Sequence, residues 1–113
     1  MTEKKLKGGI PAAEALQLAG LVEYADGAVV SRTIKKSEKG TLTVFAFDEG
    51  EGLSTHSAPY DAYVQILDGE VEITVGDRKV IPAVGDIVMM PADIPHGLHA
   101  VTQFKMLLIM IRG

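Results

Sequence analysis

The sequence has no cysteine and no tryptophan. Without thiols, it cannot form disulfides, thiolate nucleophiles, iron–sulfur clusters or cysteine-ligated zinc. The lack suits a reducing cytoplasm, the expected location of the protein. Aromatic residues are few: Phe45, Phe47, Phe104, Tyr24, Tyr60 and Tyr63 are the whole set. A core must therefore be built mainly from Val, Ile, Leu and Met. No long apolar run exists either. The longest, residues 106–111, is six residues, whereas a membrane-spanning helix needs about 20. Near the start, Glu14 and Gln17 interrupt what would have to be the apolar core of a signal peptide. Basic charge is also in short supply, with a formal net charge of −4. Lys4, Lys5 and Lys7, and then Lys35, Lys36 and Lys39, form small clusters without interleaved aromatics. They read as solvated surface or blunted strand edges, so neither a nucleic-acid nor a membrane partner is expected.

What is present is ordinary globular material, 47% hydrophobic and 23% charged over 113 residues. That length predicts one domain, residues 1–113, burying roughly two-thirds of its unfolded surface. Residues 11–19 (PAAEALQLA) predict a short N-terminal helix, with Pro11 at its first position and Gly20 as its stop. From about residue 21 to 111 the pattern becomes short β-prone runs: 28–34, 41–47, 62–67, 70–75, 78–81, 86–90, 97–101 and 104–111. Turn residues separate them at Asp26-Gly27, Lys39-Gly40, Asp68-Gly69, Gly76-Asp77 and Gly85-Asp86. Asp68-Gly69 predicts a two-residue hairpin. Many short, evenly spaced strands imply an all-β sandwich or barrel. In 70–75 the period of two sends Val71, Ile73 and Val75 inward and Glu70, Glu72 and Thr74 outward. The last run is apolar on both faces, so both should be covered.

The three histidines fall in two places, His56 and then His96 and His99. Around the first the chain reads Gly52-Leu-Ser-Thr-His56-Ser-Ala58-Pro-Tyr-Asp-Ala62, then six residues to Gly69. Around the second it reads Gly85, five residues, Pro91-Ala92-Asp93, two residues, His96, three residues, Ala100. This shape resembles the cupin family. The resemblance implies a double-stranded β-helix, a jelly-roll barrel, with both motifs lining its interior. In metal-binding cupins the usual ligands are two histidines and a glutamate of the first motif and a histidine of the second. Here His56 and His96 hold the outer two of those positions, and Ala58 and Ala62 hold the middle two. Asp93 stands at a family glycine and Ala100 at a family asparagine. The resemblance implies a divalent metal (zinc, nickel, manganese or iron), but His56 and His96 alone would need water or a ligand to complete its shell. Tyr60 has inward parity; Asp61 could be turned inward by a bulge at Pro59, and His99 by an irregularity at Gly97. Each is a candidate to complete the set.

These readings lead to a small-molecule-binding cupin whose pocket is lined by His56, Ala58, Tyr60, Ala62 and His96. Positions 56, 58 and 62 would share one face of a strand. Two methyl groups in place of polar ligands leave room for an organic molecule. The alternatives are a metal-dependent dioxygenase- or isomerase-type cupin enzyme acting on a small organic acid, and a non-catalytic dimeric sensing or accessory module. The plainer readings are a hydrogen-bonded core role for the two histidines, a surface role for His99, and core filling by Met89, Met90, Met106 and Met110. A homodimer is expected, because the doubly apolar strand 104–111 exceeds what a short helix covers and the run 28–34 reads as a sheet edge.

Overall fold

The structure, a computed structural model, describes residues 2–112. Ten strands form, β1 (Thr2–Leu6), β2 (Ala28–Ser37), β3 (Gly40–Phe47), β4 (Gly52–His56), β5 (Asp61–Asp68), β6 (Val71–Val75), β7 (Arg78–Val80), β8 (Ile87–Met90), β9 (His96–Ala100) and β10 (Phe104–Ile111). They make a six-stranded sheet, β1-β2-β3-β10-β5-β8, and a four-stranded sheet, β4-β9-β6-β7. Both sheets turn alternate residues onto one shared core. Val29, Phe47, Val64, Ile66 and Met106 come from the first sheet, and Val71, Ile73, Leu98 and Ala100 from the second. The alternation expected for residues 70–75 holds, with Val71 and Ile73 fully buried and Glu70 exposed.

The three phenylalanines are gathered at one end of this core. Phe47 and Phe104 are register partners on β3 and β10, and their rings stack at 4.6 Å between centroids and 8° between planes. Phe45 stacks on Phe47 at 5.7 Å. From that plug the inward side chains shrink toward the opposite end. Along β3 they run Phe47, Phe45, Thr43, Thr41; along β5, Ile66, Val64, Ala62; along β2, Val29, Ser31, Thr33. A barrel filled with bulky residues at one end and small ones at the other is closed at the first and open at the second.

The outer face of the six-stranded sheet carries a second cluster, in which Val22, Ala28, Val30, Val44 and Ala46 are buried and Leu18, Leu21 and Leu107 pack against them. The expected helix over 11–19 does not form. The chain there is irregular, with Ala13 at φ 60°, and ends in a single 3-10 turn, Leu18–Leu21. Ala12, Ala15, Leu16 and Ala19 would have formed its apolar stripe, too little apolar area to hold so short a helix. Leu18 and Leu21, three apart, instead share the docking face of the 3-10 turn. Lys105 fastens this segment by donating from Nζ to the Ala19 carbonyl at 2.7 Å. Among the described residues no helix is long and apolar enough to cross a membrane.

Three further expectations are corrected. The run 28–34 is not a sheet edge, because β1 (TEKKL) pairs with β2 in parallel. Every residue of β1 is exposed, so hydrophobic alternation could not reveal it. Strand β4 was absent from the predicted runs. Asp68-Gly69 is not a hairpin turn either, because β5 and β6 belong to different sheets and the chain crosses between them there. Gly69 sits at φ +75°, where an added Cβ would lie 1.8 Å from the Gln103 carbonyl oxygen. The two-residue hairpin occurs at Gly76-Asp77, between Val75 and Arg78, with Gly76 at φ +61°.

Two outcomes are expected. Phe104→Ala should cost about 3–5 kcal/mol in denaturant unfolding, because it empties the stacked plug. At the closed end, Asp48 accepts hydrogen bonds from the Gly27 amide (2.7 Å), Gln103 Nε2 (3.1 Å) and the Glu49 amide (2.9 Å). These hold its pKa below the ordinary 3.8. A depressed carboxyl stabilises the fold above its unfolded pKa and stops doing so as pH falls through its folded pKa. Thermal melts of Asp48→Asn should therefore lie below the parent at neutral pH and converge with it in strong acid.

Candidate functional site at the barrel mouth

The ladders place the ends of several strands at the open end. Met110 pairs with both Thr41 and Ala62, Ala62 pairs with Met90, and His96 pairs with both His56 and Val75. The last residue of β4 and the first of β5, His56 and Asp61, lie on this same rim, joined by residues 57–60. The mouth therefore has a histidine wall on the four-stranded sheet and a threonine wall on the six-stranded one.

On the histidine wall the two imidazoles meet as expected, edge to face with centroids 4.5 Å apart. His96 is buried at 6% exposure, while His56 stands open to solvent. Each ring is hydrogen-bonded through Nδ1 to the carbonyl two residues earlier, His56 to Ser54 at 2.8 Å and His96 to Ile94 at 3.1 Å. A carbonyl oxygen only accepts, so each Nδ1 bears the proton. In the neutral ring each Nε2 is left with its lone pair, able to accept a hydrogen bond or donate to a metal.

The other positions of the first motif do not share a single strand face, as had been expected. The chain changes sheet between His56 and Asp61, so parity cannot be carried across. Ala62 does face inward and is 3% exposed. Ala58 is half-buried, and its carbonyl accepts the Asp93 amide at 2.8 Å. Tyr60 lies on the threonine side, under the Arg112 guanidinium, whose Cζ is 4.7 Å from the ring centroid and which donates to the Tyr60 hydroxyl. Asp61 accepts the Ala92 amide at 2.9 Å and so pins the loop that leads to His96. His99 is exposed, on the opposite face of β9 from the core residues Leu98 and Ala100. Asp93 stands at a family glycine position, and its backbone has φ 66°, a conformation that glycine adopts freely and aspartate tolerates better than most residues.

A resident metal does not fit this donor set. Two imidazoles stand beside methyl groups at positions 58 and 62, and Asp61 and Tyr60 are engaged elsewhere. Among the described residues no group of three or more His, Cys, Asp or Glu side chains is placed to hold a metal ion. A firm protein site needs three or four ligands.

The threonine wall was not foreseen. A cavity of about 340 Å³ lies there, lined by Thr33, Lys36, Ser37, Glu38, Gly40, Thr41, Thr43, Tyr60, Met110 and Arg112. Thr33 and Thr43 hydroxyls lie 3.3 Å apart and share a hydrogen bond. Thr41 Oγ1 is buried with no partner among the described residues. An unpaired buried hydroxyl costs about 1–3 kcal/mol. The signal available in sequence was the run of Thr41 and Thr43 at inward positions next to Phe45 and Phe47, a loss of side-chain volume within one strand.

The sequence model of the Cupin domain family matches residues 43–112. Among solved structures, a conserved protein of unknown function from Streptococcus pyogenes is 38% identical over 93% of this chain and 92% of its own, with a TM-score of 0.89. A cupin superfamily protein from Desulfitobacterium hafniense is 31% identical over 93% of this chain and 96% of its own, with a TM-score of 0.87. A cupin 2 conserved barrel domain protein from Leptotrichia buccalis is 38% identical over 85% of this chain, which spans 47% of that one, with a TM-score of 0.82. No curated protein matches the chain. Fold, motif positions and matched residues agree, and the chain belongs to the cupin family, with its double-stranded β-helix fold.

Proposed function

We propose that this cupin binds a small organic molecule at the barrel mouth, with His56 and His96 as its polar contacts. The observation that carries the reading is the histidine pair itself. Two imidazoles in contact, each anchored through Nδ1, present two Nε2 lone pairs at the open end of the barrel. Such convergent polar groups beside apolar wall are what small-molecule sites use to orient a ligand. A ligand hydroxyl or amide can donate to either nitrogen. Metal-dependent catalysis of the dioxygenase or isomerase type would need a further ligand, and the donor set argues against it.

A thermal-shift and NMR screen of small carboxylates, sugars and phenolics tests the reading. His56→Ala should change stability by no more than about 0.5 kcal/mol, because the ring is exposed. It should weaken a bound hit about tenfold, or ~1.4 kcal/mol. Hits that bind His56→Ala and His96→Gln as tightly as the parent would refute it. Dialysis against EDTA should leave folding and ligand binding unchanged, and any divalent metal present before dialysis should be lost. Stoichiometric metal surviving that treatment would show that a further side chain completes a site.

We also propose that the protein is a homodimer. Four of the ten exposed large apolar side chains among the described residues lie at the β7–β8 connection and on β8, an edge strand, where Ile81, Val84, Ile87 and Met89 are 41–64% exposed. Large patches of that kind mark interfaces. Light scattering should give twice the 12.1 kDa chain mass, and a monomer mass would rule the pairing out.

A further inference from the structure

We infer that the threonine wall is the recognition site for a small monocarboxylate bearing a second oxygen a few atoms along, gripped by Arg112 and Lys36 and read by Thr41. The inference rests on the reading that a small molecule enters this mouth, but it stands on different residues from the histidine pair.

Volume bounds the ligand first. About 340 Å³ lies near the bottom of the range of roughly 300–1,000 Å³ for small-molecule sites. The occupant is a short molecule, not a nucleotide or an oligosaccharide. Charge comes next. Lys36, Arg112 and Glu38 are the charged residues of the lining, a formal excess of one positive charge. Among the described residues neither Lys36 nor Arg112 is in a salt bridge. A single carboxylate neutralises that excess, whereas a second would meet Glu38 without a cation to spare.

Preorganisation singles out Arg112. Its backbone amide donates to the Lys39 carbonyl at 2.8 Å, and its guanidinium lies over the Tyr60 ring and donates to the Tyr60 hydroxyl. A stacked guanidinium held at one nitrogen keeps its remaining donors for a planar, two-oxygen acceptor, which a carboxylate is. Deeper in, the Thr33–Thr43 pair satisfies itself, while Thr41 Oγ1 is buried and unpartnered. Turned about χ1 toward the cavity that Thr41 lines, this hydroxyl would gain the missing hydrogen bond from a hydroxyl or carbonyl oxygen on the ligand. Met110 gives the short carbon chain between the two polar ends an apolar surface.

The test uses butyrate, butyramide, 3-hydroxybutyrate, succinate and inorganic phosphate as probes, with affinities from NMR titration of the Met110 methyl and Thr41 amide signals. Butyrate should bind at least about tenfold more tightly than butyramide, a difference of ~1.4 kcal/mol. Arg112→Gln should remove that preference; the residue is exposed beyond the last strand, so the fold is retained. The 3-hydroxy acid should bind more tightly than butyrate, and Thr41→Val, which deletes the orphan hydroxyl, should abolish that gain. Equal binding of acid and amide, no response to any carboxylate, no effect of Arg112→Gln, or tighter binding of succinate or phosphate than of butyrate would each overturn the inference. Neutral hits that depend on His56 and not on Arg112 would leave the histidine reading standing without it. Carboxylate binding that ignores His56→Ala but not Arg112→Gln would do the reverse.

Discussion

Everything in this barrel follows from how two facing sheets must fill the space between them. The distance between sheets is set by backbone and twist, so inward side chains have to sum to a nearly constant volume at each level. At one level the chain meets that demand with Phe47 stacked on Phe104, and the barrel is solid there. At the other end it supplies threonine instead, and the deficit is a cavity. Site and core are thus two ends of one packing gradient, laid down along the same strands.

That constraint also explains what could be read from the sequence. Period-two alternation is legible wherever a strand has one face on the core and one toward solvent, and residues 62–67 and 70–75 show it clearly. It fails where a strand buries nothing. Lys4 and Lys5 sit in β1 because its backbone is paired, not because its side chains are. It failed again at residues 11–19, where helix propensity pointed one way and two leucines docking on a sheet decided the other. Asp68-Gly69 carried a correct turn signal with the wrong consequence, since a local dipeptide does not say whether the next strand returns to the same sheet.

The histidine pair was legible because the spacing of both motifs survives, and the register His56 to His96 brings the rings together. Arg112 and Tyr60 were not legible as a pair. They are 52 positions apart and meet only because β10 and β5 run side by side to the same rim, with Ile111 opposite Asp61. Tyr60 does line the cavity, as expected, but strand parity is not the reason: the chain changes sheets between His56 and Asp61, and inside and outside are redefined at the corner.

The parallel pairing of β1 with β2 has a consequence of its own. A parallel neighbour needs a long return path, and residues 7–27 supply it by running across the outer face, fastened by Leu18, Leu21, Val22 and Lys105. The strand before that strap holds on by backbone hydrogen bonds alone, with every side chain exposed. With so little buried, its amides can open and exchange with solvent while the plug, the ladders and the mouth remain intact.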